Sequence, residues 1–117
     1  MTDAAKRPWP VEIRLNPERT MLTVAYDSGE RFVLPAEYLR VESPSAEVQG
    51  HGAGQKQIVT GKESVAIAAI EPVGNYAVRL RFDDGHDTGL FTWDYLHELG
   101  REQRAKWAAY LKASGKA

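Results

Sequence analysis

The chain has 117 residues, with 15 Lys and Arg against 16 Asp and Glu, a net charge of −1, and no Cys. The length fits one domain, and a charge so close to zero gives no broad field to attract nucleic acid or anionic lipid. Without Cys the chain cannot form a disulfide, a Cys-ligated zinc site or a Cys-held iron–sulfur cluster.

The first part of the chain has the pattern of an antiparallel meander. Three segments are predicted to be strands: the first alternates apolar and polar residues, the second places Leu22, Val24 and Tyr26 on one face, and the third follows the next turn. They are residues 11–15, 21–26 and 31–34. Asn and Pro at 16–17 and Gly at 29 supply the turns between these strands. A short helical turn is predicted over residues 35–41, because Pro35 suits a first helical position.

Residues 42–56 are rich in Ser, Pro and Gly and predict a long loop, which in a compact domain tends to be functional or mobile. Residues 65–70 are nearly all apolar, so we expect a strand at the centre of a sheet with both faces covered. The next strand is predicted over 76–82, and a tight turn at 83–85 leads into a last strand at 86–91. Four residues of the 76–82 strand are expected to point inward: Tyr76, Val78, Leu80 and Phe82.

The C-terminal part is predicted to be helical. Thr92 is a suitable N-cap for a helix that Gly100 ends, and a second helix is predicted over 101–113. We expect Trp107, Tyr110 and Leu111 on one side of this second helix. The predicted fold class is α+β: an antiparallel sheet of about six strands built from hairpins, with a short helical turn and two C-terminal helices. We expect a flexible leader over 1–8, a single domain over 9–113 and a tail over 114–117.

Several common functional signals are missing from the sequence. The Gly-rich residues 50–56 do not match a phosphate-binding loop, because no Ser or Thr follows Lys56. No apolar run approaches the roughly 20 residues that span a bilayer, and the first residues do not have the pattern of a secretory signal. We therefore expect a cytoplasmic protein without membrane or nucleic-acid partners.

The turn at residues 83–87 combines three carboxylates with one imidazole. Adjacent positions of a hairpin point to alternate faces, so these groups rarely converge on one metal ion. One interpretation is a turn that is held by local hydrogen bonds. The alternative is a small metal-binding protein or enzyme that uses Asp84, His86 and Asp87.

Three segments resemble a small uncharacterised bacterial family that is similar to the N-terminal domain of gamma-butyrobetaine hydroxylase. They are WPVEI at 9–13, LRVESPSAEVQGHG at 39–52 and FDDGHDTGLFTWDYL at 82–96. The resemblance extends over residues 9–112. It implies a compact β-rich module that precedes the catalytic domain of a dioxygenase or is fused to an iron–sulfur carrier ATPase.

The resemblance also implies a structural zinc ion, held in the hydroxylases by three Cys and one His. The matching Cys positions carry Ser43, Ser45 and Val48 here, and the His position is His86. A hydroxyl is a poor zinc ligand at neutral pH and Val is none, so we expect no zinc and no other cofactor. We expect His86 instead to join the long loop to the last hairpin by hydrogen bonds.

These observations predict a non-catalytic binding or adaptor domain. Its expected contact surface is the loop at 42–56 together with the hairpin at 84–88. The candidate binding residues are Ser43, Ser45, His51, Asp84, His86, Asp87 and Trp93. The fusions in the family imply a protein partner of the iron–sulfur carrier or dioxygenase type.

Overall fold

Two three-stranded antiparallel sheets form the framework of the computed structural model, which describes residues 7–50 and 56–116. The first sheet contains β1 (Pro10–Leu15), β2 (Met21–Tyr26) and β3 (Arg31–Pro35), and the second contains β4 (Ile67–Val73), β5 (Ala77–Phe82) and β6 (Gly89–Thr92). The helices in the described residues are α1 (Ala36–Val41), α2 (Ala46–Gln49), α3 (Trp93–Arg101) and α4 (Gln103–Ala113). The α+β class and the hairpin construction are as predicted.

The single sheet of about six strands differs from the structure, which divides the strands into two sheets. The division lies where β4 begins. The N–H of Ile67 donates to the carbonyl of Arg19 at 2.9 Å, and the Arg19 guanidinium donates to the carbonyl of Ala68 at 2.7 Å. Arg19 has a φ of 62° and belongs to the turn between β1 and β2. The second sheet therefore meets a turn of the first sheet instead of extending it.

One hydrophobic core joins both sheets to the helices. Its completely buried members come from β2, β3, α1, all three strands of the second sheet and α3. They include Leu22, Val24, Leu34, Leu39, Ile67, Leu80, Phe91, Leu96 and Leu99. Burial of one such side chain contributes roughly 1.5–3 kcal/mol, so this cluster is the main source of stability.

The prediction that residues 65–70 form a central strand was wrong. β4 lies at the edge of the second sheet, and β5 is the central strand. β4 continues beyond the predicted segment through Glu71 and Pro72, and Pro has no N–H to donate to a second neighbouring strand, which suits an edge position. Within the β5 prediction, Val78, Leu80 and Phe82 are buried as expected, whereas Tyr76 lies in the preceding turn and is 49% exposed.

The start of α3 agrees with the sequence, but its end does not. The Thr92 hydroxyl oxygen accepts a hydrogen bond from the Tyr95 N–H at 3.1 Å, which makes Thr92 the predicted N-cap. Gly100 does not end the helix, because α3 continues to Arg101. A β-carbon at Gly100 would overlap the ring of Phe32, so the glycine permits a close approach between α3 and β3.

The predicted loop at 42–56 contains the one-turn helix α2, and residues 51–55 lie outside the described part of the chain. The last strand is also shorter than predicted, because residues 86–88 are irregular and lie between the turn and β6. In the described residues, no helix has both the length and the apolar character that crossing a membrane requires.

Candidate functional site

The structure brings together two segments that lie about forty positions apart in the sequence. Ser43 and Ser45 follow α1, and His86 follows the turn after β5. The Nε2 atom of His86 lies 2.9 Å from Ser43 Oγ and 3.3 Å from Ser45 Oγ. Val48, on α2, is also buried. These contacts are the hydrogen-bonded bridge between loop and hairpin that the sequence predicts for His86.

Glu47 completes this arrangement on the other side of the imidazole ring. Its Oε1 atom lies 2.8 Å from His86 Nδ1 and accepts a further hydrogen bond from the Thr88 hydroxyl at 3.3 Å. An ionised carboxylate only accepts hydrogen bonds, so Nδ1 carries the proton and Nε2 accepts from the serine hydroxyls. We call Ser43, Ser45, Glu47 and His86 the polar cluster.

Burial keeps the imidazole of the polar cluster neutral. The His86 side chain is only 2% exposed. Desolvation is the largest cause that lowers the pKa of His86, and the positive charge of Arg40 lowers this pKa further. The nearby carboxylate of Glu47 acts in the opposite direction but does not outweigh the two. The neutral ring therefore keeps an acceptor for the serine hydroxyls at neutral pH.

The backbone around Ser43 is held by its neighbours. The Gln49 side-chain amide donates to the Ser43 carbonyl at 2.9 Å, and the Ser45 N–H donates to Ser43 Oγ at 3.4 Å. A β-carbon at Gly89 would overlap Ser43 Oγ, so β6 approaches the loop more closely than any other residue type at this position would allow. Ser43, Ser45 and His86 are thus enclosed, whereas Glu47 lies at the surface.

Asp84 belongs to a separate ionic contact. Its Oδ2 atom accepts from Arg40 Nε at 2.8 Å and lies 2.6 Å from Lys62 Nζ, while its Oδ1 atom accepts from the His86 N–H at 3.1 Å. Burial alone would raise the pKa of Asp84, but the hydrogen bonds from Lys62, the His86 N–H and Arg40 together hold it well below its usual range. Asp84 therefore links the hairpin to α1 and to the segment before β4.

Two of the remaining candidate residues, Trp93 and Asp87, do not join the polar cluster. Trp93 lies at the start of α3, where its indole N–H donates to the Asn75 carbonyl at 2.8 Å. Asp87 is half-buried and contributes to the electrostatic environment of Arg79. His51 lies outside the described residues.

The donor set at the four zinc positions of the resemblance does not fit a zinc ion. Val48 offers no donor atom, and the hydroxyls of Ser43 and Ser45 are hydrogen-bonded to His86. Over residues 7–50 and 56–116, no group of three or more His, Cys, Asp or Glu side chains could hold a metal ion. Asp84, His86 and Asp87 therefore do not converge as the metal-binding alternative requires.

Ser43, His86 and Glu47 follow the hydroxyl–imidazole–carboxylate order of a nucleophilic triad. A nucleophile must reach the reacting atom of its substrate, and Ser43 is 0% exposed. The geometry shown here therefore ties two segments together and does not present a reactive hydroxyl.

Three residues that position the site were missed in the sequence: Glu47, Arg40 and Lys62. Glu47 could have been found from its position between Ser45 and Val48, two of the positions that match zinc ligands. A carboxylate near a metal site commonly accepts a hydrogen bond from the second ring nitrogen of the metal-binding His. The contacts of Arg40 and Lys62 with Asp84 depend on tertiary structure, and the sequence contains no local pattern for them.

Comparison with known proteins agrees with the resemblance in the sequence. The family model described as gamma-butyrobetaine hydroxylase-like, N-terminal, matches residues 13–97. A crystal structure from Acidithiobacillus ferrooxidans, of a DUF971-family protein of unknown function, is 45% identical; the match covers 78% of this chain and 91% of that one, with a TM-score of 0.65.

Two NMR solution structures are also similar. One is 45% identical with a TM-score of 0.79 and covers 100% of this chain and 89% of that one. The other is 47% identical with a TM-score of 0.78 and covers 95% of this chain and 90% of that one. Among curated proteins, no match was found. The chain belongs to the gamma-butyrobetaine hydroxylase-like N-terminal family, which includes the DUF971 proteins.

Proposed function

We propose that this chain is a non-catalytic adaptor domain that binds a protein partner. The observation that carries the proposal is the closed polar cluster, in which His86 uses both ring nitrogens on groups of the same chain. Groups that are satisfied internally and buried hold a surface in place, and they are not available to bind a metal ion or activate a substrate.

The proposed contact surface is the outer side of this cluster, made of residues 42–50 and the hairpin at 84–88. Ala46 and Glu47 are exposed on α2, and Gly85 and Thr88 are exposed on the hairpin. The hydrogen bonds beneath them fix both segments before a partner arrives. A preorganised surface loses less conformational entropy on binding, which favours its use as a docking site.

The proposed partner is a protein of the iron–sulfur carrier or dioxygenase type. This part of the proposal is supported by the fusions that the family resemblance implies and is an analogy at the level of the family. The zinc ion that the resemblance implies is, in our proposal, replaced in this chain by the hydrogen bonds of the polar cluster.

Affinity capture from extract of the native cells tests the adaptor role. The wild-type chain is compared with Ala46→Arg and with the matched variant Ala68→Arg, which places the same exposed substitution on β4. We expect a partner that the wild type and Ala68→Arg retain and that Ala46→Arg loses, with identical circular dichroism for all three. Absence of any specific partner, or equal retention by both variants, would contradict the proposal.

A zinc titration followed by calorimetry separates this function from the metal-binding alternative. We expect no saturable binding by the wild-type chain. Saturable one-to-one binding that disappears in His86→Ala would favour a metal protein that uses Asp84, His86 and Asp87.

A further inference from the structure

A second surface lies away from the polar cluster, along α4. A groove of about 700 Å³ runs between this helix and the segment that joins β3 to α1. Pro35 and Tyr38 line one side of the groove, and Trp107, Ala108 and Leu111 line the other. The residues from α4 lie on consecutive turns, so the groove follows the helix for about two turns.

The floor of this groove is rigid but uncovered. Trp107 stacks on Tyr110 with ring centroids 5.0 Å apart and meets Tyr38 edge-on at 6.1 Å. Tyr110 is buried, and its hydroxyl donates to the Val59 carbonyl at 2.8 Å. Trp107 and Leu111 are only half-buried. Large aromatic side chains that are held in place and partly open to solvent are typical anchors of protein interfaces.

The apolar surface continues from the groove onto the open face of the first sheet. Met21 pairs with Pro35 across β2 and β3, and directly paired residues lie on the same face of a sheet. Val33 lies two residues before Pro35 and shares this face. Met21 is 39% exposed and Val33 is 49% exposed. A continuous apolar strip of this kind marks an interaction site more often than isolated exposed residues do.

The charge at the rim of the groove is positive. Arg101 and Arg104 line it, and neither makes a salt bridge with any residue in the described part of the chain. Glu98 and Glu102 share Lys106, whose Nζ lies 3.6 Å and 3.8 Å from their carboxylates, and neither of them lines the groove. Arg101 also interacts with Glu30 over a longer distance, but the charged residues that line the groove are both guanidinium groups, which bind carboxylates well.

We propose that this groove binds an acidic amphipathic helix of a partner protein. Such a helix would place its apolar stripe on Trp107 and Leu111 and its carboxylates opposite Arg101 and Arg104, the usual mode of recognition of a helix in a groove. The inference rests on the proposed adaptor function and adds to it a second surface with its own partner chemistry. The two arginines at the rim favour an acidic partner, and the elongated apolar floor fits the apolar stripe of a helix.

The test uses two synthetic helical peptides of about 16 residues with the same apolar stripe, one carrying Glu at its polar positions and the other Lys. Binding is measured by calorimetry. We expect the wild-type chain to bind the Glu peptide at least about tenfold more tightly than the Lys peptide. Arg104→Glu should reduce or reverse this preference, since it inverts one charge at the rim.

A matched pair of substitutions tests the location. Ala108→Arg should abolish binding because it blocks the groove, whereas Ala105→Arg, exposed on the same helix but outside the groove, should leave binding unchanged. Circular dichroism of all variants controls for folding. Binding of neither peptide, equal binding of both, or equal effects of the two Ala variants would overturn the inference. So would sedimentation data that show a dimer of this chain dissociated by Ala108→Arg.

Capture from cell extract distinguishes failure of this inference from failure of the proposed function. A partner that Ala108→Arg retains, together with no peptide binding, overturns the groove assignment and leaves the adaptor role standing. Binding of the Glu peptide that is lost in Ala108→Arg, without any captured partner, supports the groove and contradicts the adaptor role.

Discussion

The Nε2 atom of His86 lies 2.9 Å from the hydroxyl oxygen of Ser43, and this contact joins the segment after α1 to the β5–β6 hairpin. The two residues lie 43 positions apart in the sequence, so this is a long-range contact. A hydrogen bond between buried neutral groups contributes only about 1 kcal/mol, but removal of one partner leaves the other unsatisfied at a larger cost.

His86→Ala should therefore lower the free energy of unfolding by about 2–3 kcal/mol, because it leaves the hydroxyls of Ser43 and Ser45 without their acceptor. Urea denaturation measures this loss, and amide exchange over residues 43–49 should accelerate locally. Thr88→Ala is the control in the same hairpin: it removes only the exposed 3.3 Å hydrogen bond to Glu47, leaves the contacts of His86 in place and should have a small effect. Unchanged stability and unchanged amide exchange in His86→Ala would show that the hydrogen bonds of His86 with Ser43 and Ser45 do not stabilise the fold.

A fall in pH should reduce the contribution of His86 to the free energy of unfolding. The pKa of His86 is lower in the folded chain than in the unfolded chain, so the unfolded state takes up a proton first as the pH falls. The stability that this group contributes is fully present above the unfolded value of about 6.5 and is lost as the pH falls through the lower folded pKa.

Unfolding free energies measured between about pH 8 and pH 5 should therefore decline more steeply for the wild type than for His86→Gln, which cannot titrate at this position. Other titrating groups affect both proteins alike. Parallel pH profiles would contradict the assignment of a depressed pKa to His86.

Gly100→Ala should destabilise the fold although Ala is the better helix former by about 1 kcal/mol. The added methyl group would overlap the ring of Phe32, and overpacking of this kind typically costs about 1–3 kcal/mol. Thermal unfolding measures the net effect. Phe32→Leu in the same chain should recover part of the loss, because it makes room for the methyl group. A stabilised single variant would mean that α3 does not approach β3 so closely.

Introducing Cys at the three positions that the family resemblance matches to zinc ligands should create a zinc site. In the triple variant Ser43→Cys, Ser45→Cys and Val48→Cys, three thiolates would join His86 to form a Cys3His set. Glu47 already accepts from His86 Nδ1, which is the outer contact that orients a metal-binding imidazole and leaves Nε2 for the metal. Cobalt absorption should show tetrahedral one-to-one binding by the triple variant and none by the wild type. Failure to bind would mean that these positions do not correspond to the zinc ligands of the family.

Local patterns predicted the elements that local forces determine. The hairpins follow from alternating strands and from turn residues such as Gly29, and the start of α3 follows from the Thr92 cap. The second sheet meets the β1–β2 turn through hydrogen bonds between Arg19 and residues 67–68, 48 and 49 positions further along the chain, and no local pattern encodes these contacts. In the sequence, Gly100 looks like a residue that ends a helix. In the structure it lies against the ring of Phe32 and allows α3 to approach β3 closely.

The candidate site was predictable in part for the same reason. The resemblance identified the positions of Ser43, Ser45 and His86, and the structure places them in contact. The roles of Glu47 and Arg40 depend on tertiary packing. The groove was missed because Trp107 and Leu111, expected on one apolar side of a helix, look like ordinary core residues until their incomplete burial is seen.

The close approach of Gly89 to Ser43 restricts how these two positions can change during evolution. Any side chain at position 89 would need the space that the hydroxyl at position 43 now occupies. Homologues that keep Ser or a larger residue at 43 should retain Gly at 89, and replacement of the glycine should occur together with a reduction in size at 43. An alignment of homologues should therefore show these two positions changing as a pair.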